Sequence, residues 1–129
     1  MKKVDNFSKA LNNLRQCRNY HEPYDTVTET GLVALFEICF EQSWKAMKEI
    51  LENHGYEEAQ TGSPKMIMKL AHSCGMINDE EKWLMALSSR NDVAHSYNEK
   101  IAIGIINKTK EYFIDMFEDL EKEMRSRWL

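Results

Sequence analysis

Only two prolines and five glycines interrupt these 129 residues, and that scarcity does most to limit the fold. A many-stranded β structure needs turn residues about every ten positions, far more than are present. Long stretches that repeat apolar residues every three or four positions fill the gaps instead, which is the helical period. The expectation is one all-α domain spanning residues 1–129, four or five helices around one core.

The first helix is predicted from Val4 to Tyr20, with Val4, Phe7, Leu11 and Leu14 on one stripe, and Pro23 beyond its end. A long second helix follows from Thr28 to Asn53. Its apolar residues between Leu32 and Phe40 cover more than one face, as in a helix central to a bundle or packed on another subunit. His54-Gly55 supplies a stop, and Tyr56 to Gly62 reads as a connection. Ser63-Pro64 reads as an N-cap and first helical position for a short helix ending at Gly75. Asn78-Asp79-Glu80-Glu81 opens a fourth helix through an Asn-x-x-Glu capping arrangement, with Trp83, Leu84 and Leu87 inward. The last helix runs from Asn98 to Arg127 on a main stripe of Ile101, Ile105, Tyr112, Met116, Leu120 and Met124. Three i,i+4 pairs, Glu118–Lys122, Glu121–Arg125 and Glu123–Arg127, decorate its surface.

A formal net charge of −4 argues against a broad nucleic-acid face, because each phosphate contact calls for a Lys or Arg. Any RNA would be met at a local site. Cys17, Cys39 and Cys74 are odd in number and widely spaced, so they read as buried or half-buried free thiols and not as a disulfide framework. Neither C-x-x-C spacing nor the His72/Cys74 pair suggests a metal, and no cofactor is implied. The longest apolar run, Gly31 to Phe40, is half a membrane span and holds Glu37. No apolar segment follows Lys2-Lys3, so no signal peptide is read and a cytoplasmic location is expected. Trp44 and Trp83 have apolar neighbours and are expected in the core. Lys45, Lys48, Lys65 and Lys69 read as scattered surface charge, and His21 and His54 as exposed helix-end residues.

One stretch resists these explanations. Ser88 to Asn98 gathers Arg90, Asn91, Asp92, His95 and Tyr97 with little apolar content. Its Ser and Asn residues favour caps and turns, so a helix end, a tight connection and a new start are expected there. On a straight helix Arg90 and His95 would point roughly 140° apart. A break between them, or a second copy across a dimer, would be needed to join them. Arg carries a planar fork suited to phosphate, and His can take or give a proton near neutral pH. Together they suffice for RNA cleavage without metal, in which the ribose 2′-OH attacks the adjacent phosphate. Elsewhere the same two residue types form ordinary surface pairs.

Arg90-Asn91-Asp92-Val93-Ala94-His95 resembles the R-x4-H motif of the HEPN superfamily, and Tyr97 extends it to R-x4-H-x-Y. Phe36-Glu37, Glu41 to Lys48, Ser63-Pro64-Lys65 and Gly75 to Leu84 are similar, in order, to landmarks of its nucleotidyltransferase substrate-binding branch. The resemblance covers roughly Phe7 to Leu120. It implies an up-and-down antiparallel four-helix bundle with an additional short helix, a homodimer with RNA or a nucleotide at the dimer cleft, and a minimal nucleotidyltransferase as partner in a toxin–antitoxin pair. By the same resemblance Arg90 and His95 would be the ribonuclease pair, Asn91 and Asp92 supporting polar residues, and Tyr97 the site of modification with AMP. Asp92 departs from the pattern by adding a negative charge beside a phosphate site. The branch also allows a non-catalytic reading, in which the chain is the substrate- or nucleotide-binding subunit of a two-component nucleotidyltransferase.

Overall fold

The computed structural model describes residues 1–129 and contains helices and turns only. Helix α1 spans Lys2–Leu14 and tightens into a 3-10 segment, Arg15–Asn19, so the regular helix ends earlier than the apolar stripe suggested. After a loop with a cis Glu22–Pro23 peptide, α2 spans Thr26–Asn53. Its N-cap is Asp25, whose carboxylate accepts the Thr28 amide at 2.7 Å, so the helix starts two residues before the expected Thr28. At its other end Gly55 takes φ 87°, a value open to glycine that turns the chain into a 3-10 segment, Glu57–Thr61.

Ser63 caps α3 (Pro64–Ser73), as expected from Ser63-Pro64. Helix α4 spans Glu80–Ser96, and its cap is Asp79 in place of Asn78: the Asp79 Oδ1 accepts the Lys82 amide at 3.1 Å. The last rod is a succession of α5 (Glu99–Lys108), a π-helical turn (Thr109–Phe113), α6 (Ile114–Glu123) and a second π-helical turn (Met124–Trp128). Helices α1, α2, α4 and the α5–α6 rod form the four-helix bundle, with α3 the additional short helix.

The first π turn corrects the inward stripe of the last rod. Thr109 is buried and its hydroxyl donates to the Ile105 carbonyl at 2.8 Å, competing with the backbone for that acceptor where the turn widens. One residue more per turn rotates the following side chains. Ile114 therefore joins Phe113 in the core, and Tyr112, expected inside, lies on the surface with the Lys82 ammonium 5.5 Å from its ring centre.

Aromatic rings tie the helices together. Phe117 lies edge-on to Phe7 (6.1 Å) and to Trp83 (5.4 Å), and Phe113 stacks on Phe36 at 5.2 Å. These rings are buried, as are Cys17 and Cys39; Cys74, Leu84 and Leu87 are half-buried. Two of the three surface pairs expected along the last rod are replaced. The Arg15 guanidinium reaches across to Glu118 (2.8 Å) and Glu121 (3.9 Å), and Arg125 turns to Asp5 and Ser8; only Arg127–Glu123 remains i,i+4. Bonds across helices fix tertiary position as well as helix, and here they displace the local option. His21 and His54 are exposed, and the His54 ring at the end of α2 contacts the Trp128 carbonyl and indole. No helix is long and apolar enough to cross a membrane.

Candidate functional site

No break falls between Arg90 and His95; the helix end, connection and new start expected within Ser88 to Asn98 come at Ser96, Tyr97 and Asn98. Asn91, Asp92, Val93 and Ala94 all continue α4, which ends only at Ser96, with Tyr97 extended (φ −64°, ψ 124°). Two forces hold the helix through the polar stretch. No Gly or Pro interrupts it, and Ala86, Ser89, Arg90 and Val93 continue a helical row of buried and half-buried positions. The new start falls at Asn98, whose side-chain oxygen accepts the Ile101 amide at 2.9 Å and caps α5. Arg90 and His95 thus project from one continuous helix, roughly 140° apart.

Arg90 is half-buried and held on three sides. Its Nε donates to Glu41 Oε1 at 2.9 Å, its Nη2 lies 2.8 Å from the same oxygen as an ion pair, and its Nη1 donates to Asn91 Oδ1 at 3.1 Å. Its guanidinium carbon lies 5.9 Å from the centre of the Phe40 ring, within cation–π range. The other oxygen of Glu41 is taken too, because the Trp44 indole N–H donates to Oε2 at 3.0 Å. Glu37, one turn before Glu41, completes the surroundings. Burial pushes its carboxyl above the usual range; the Arg90 charge pulls it down and the Glu41 charge pushes it up again.

His95 is open to solvent. Asn91 and Asp92 are exposed four and three positions before it, so they share its face of α4. Asn91 therefore links the two faces, touching Arg90 directly and lying one turn from His95. Tyr97 is 44% exposed, with its hydroxyl 3.5 Å from the Thr30 Oγ1, which puts a reachable phenol just beyond the helix end. Alongside runs a stripe of α2, Val27, Gly31, Ala34 and Ile38, at spacings of four, three and four. Val27 is 83% exposed and Ile38 53%, so the second greasy face read from the sequence is left uncovered by the chain itself.

A single chain brings Arg90 to Asn91, Glu41 and the edge of Glu37, and leaves His95 apart. Glu41 and Glu37 were not singled out as site residues from sequence. The one local signal is that these two carboxylates stand one turn apart at the end of the apolar run from Leu32 to Phe40. Trp44, expected in the core, is half-buried, and with Lys3, Lys45, Lys48, Glu49 and Glu52 it lines a surface hollow of about 370 Å³. A larger hollow of about 460 Å³ lies between the start of α4 and the last rod, beside Trp83 and Tyr112. No group of three or more His, Cys, Asp or Glu side chains converges as a metal site would require.

The fold and this polar helix end define a helical-bundle protein that presents an Arg and a His on different faces of one helix beside an uncovered apolar stripe. Residues 2–126 match the family described as "Nucleotidyltransferase substrate binding protein like", and the chain belongs to that family. It is similar to a Haemophilus influenzae protein named "Probable ribonuclease HepT", 27% identical over 116 residues, 85% of this chain and 79% of the relative. Among solved structures, a Thermus thermophilus protein superposes with a TM-score of 0.78 at 27% identity, covering 92% of this chain and 98% of that one. An H. influenzae structure, described as revealing the fold of a substrate binding domain of a nucleotidyltransferase, has a TM-score of 0.79 at 23% identity, covering 95% and 99%.

Proposed function

We propose that the chain is a metal-independent endoribonuclease of the HEPN kind, working as a homodimer and neutralised by a minimal nucleotidyltransferase partner. The observation that carries this reading is the disposition of α4: a tethered guanidinium and a free imidazole on different faces of one straight helix, beside an uncovered apolar stripe. One chain cannot place both groups on one phosphate. A two-fold partner seated on Val27, Ala34 and Ile38 sets a second α4 end opposite the first, so that Arg90 of one copy meets His95 of the other.

In that cleft the chemistry needs no further group. His95 accepts the proton of a ribose 2′-OH, and the freed oxygen attacks the adjacent phosphorus. Arg90 stabilises the charge on the phosphoryl oxygens, the bond to the 5′-oxygen breaks, that oxygen leaves with a proton from water, and His95 returns its proton to solvent. The products are a 2′,3′-cyclic phosphate and a 5′-hydroxyl. Asn91 steadies the guanidinium, Asp92 lies on the imidazole's face, and Tyr97 is exposed enough to receive AMP from the partner enzyme. The "ribonuclease" in the name of the Haemophilus relative supports the reading.

The test is RNA cleavage by the purified chain in EDTA. Wild type should leave cyclic phosphate ends, and His95→Ala should slow the reaction by about 10²-fold or more, the usual worth of a general base. Equal cleavage by both proteins would remove the proposal. Incubation with the nucleotidyltransferase and ATP should add AMP at Tyr97, located by mass spectrometry, and stop cleavage.

A second reading draws on the charge around Arg90. With Glu41 and Glu37 beside Arg90 and Asp92 on the His95 face, the free chain is a poor trap for a polyanion, which favours a subunit that holds one nucleotide for a partner nucleotidyltransferase. A chain that cleaves no RNA, yet binds a mononucleotide through Arg90 in a stable complex with the nucleotidyltransferase, would establish it.

A further inference from the structure

We infer that Glu41, locked by the Trp44 indole, is a positioning residue that aims Arg90 at the scissile phosphate and limits how tightly the site holds RNA. This inference rests on the ribonuclease reading above. A guanidinium has five N–H donors. In Arg90 the Nε hydrogen goes to Glu41 Oε1, with Nη2 2.8 Å from the same oxygen as an ion pair, and one hydrogen on Nη1 goes to Asn91 Oδ1. The remaining hydrogens, one on Nη1 and two on Nη2, are left to meet the oxygens of a phosphate. Glu41 therefore occupies the side of the guanidinium and leaves its tip free.

A carboxylate with a loose oxygen would be a poor guide. Glu41 has none, since its Oε2 accepts the Trp44 N–H. Phe40, Glu41 and Trp44 lie within five residues of α2, so one rigid stretch of helix supplies the ring beside Arg90, its counter-charge and the latch on that counter-charge. The same contact has an electrostatic consequence. Glu41 offsets most of the charge that Arg90 offers a phosphate, so aim is gained and ground-state affinity is lost.

The two effects move KM and kcat in a pattern that an ordinary structural ion pair does not. In Glu41→Gln the counter-charge disappears, and an amide nitrogen replaces the oxygen that received the indole N–H. RNA should bind several-fold tighter, while kcat falls about tenfold as the guanidinium loses its fixed angle. Trp44→Phe keeps the ring and the Glu41 charge but removes the latch, so kcat should fall with KM unchanged. A 15N-labelled wild-type chain should show a resolved, slowly exchanging Arg90 Nε–H signal that averages away in both variants.

Variants that change only thermal stability, with kcat, KM and the Arg90 signal as in wild type, would overturn the inference. A faster Glu41→Gln enzyme would overturn it too, since Glu41 would then be a brake. If wild type cleaves no RNA and behaves like His95→Ala, the ribonuclease reading fails. The aiming role then stands only if the Arg90 signal is resolved in wild type and lost in Trp44→Phe, and falls otherwise.

Discussion

Phe117→Ala should be the most damaging single truncation in the core, because its ring joins three helices. Phe117 sits on α6, fully buried, with its ring edge-on to Phe7 of α1 and to Trp83 of α4. Deleting such a side chain costs about 3–5 kcal/mol through lost transfer energy and the cavity left behind. Within that, the two edge-to-face pairs contribute about 0.5–1.5 kcal/mol each. A domain has only about 5–15 kcal/mol in total, so the variant should keep its fold with much of its margin gone. Phe117→Leu separates the terms: it refills most of the space and forfeits the aromatic pairs, so its loss should be about 1–3 kcal/mol. Urea unfolding followed by far-ultraviolet circular dichroism measures both, with the m-value unchanged if the folded state is intact. A loss under about 1 kcal/mol for Phe117→Ala, or equal losses for the two variants, would refute this packing.

Three further outcomes follow from the geometry. Asn98→Ala should cost about 1 kcal/mol and speed hydrogen exchange at the Ile101 amide, whereas Asn98→Asp, which keeps the cap, should do neither. The raised Glu37 pKa means that the folded chain binds this proton more readily than the unfolded chain, so the ionised group costs stability above its folded pKa and nothing below the ordinary carboxylate value. Glu37→Gln should therefore melt higher than wild type at about pH 7, and the gain should vanish below about pH 4; a lower melting temperature at neutral pH would contradict this. Burial pushes the Cys17 thiol up to about 11 and the Cys39 thiol well above its usual value, so native alkylation should mark half-buried Cys74 first and reach the other two only on unfolding.

Helix order and most of the core were legible because burial follows the 3.6-residue period, and residues such as Phe7, Leu11, Phe36 and Trp83 obey it. The N-cap at Ser63 was legible because a serine before proline has one cheap use. Tyr112 was misplaced because a π turn adds a residue that no local pattern announces. The surface pairs of Glu118 and Glu121 were misassigned because Arg15, distant in sequence, reaches them first. At the site, residue types pointed to Arg90, Asn91, His95 and Tyr97 and to a helix end within Ser88 to Asn98, but not to its falling as late as Ser96, beyond His95. Ser89, Arg90 and Val93 are held against the bundle, and that contact outweighs the preference of Ser and Asn for turns. Glu41 stayed hidden because its importance lies in a partner 49 positions away.

Mixed dimers test most directly whether Arg90 of one copy and His95 of the other form one site. Arg90→Ala alone and His95→Ala alone should each be inactive. A purified heterodimer of Arg90→Ala with His95→Ala keeps one intact arginine facing one intact histidine, and should recover about half of the wild-type RNA cleavage, since one of the two composite sites survives. A heterodimer as inactive as its two parents would place both groups within a single chain's reach and contradict the shared cleft.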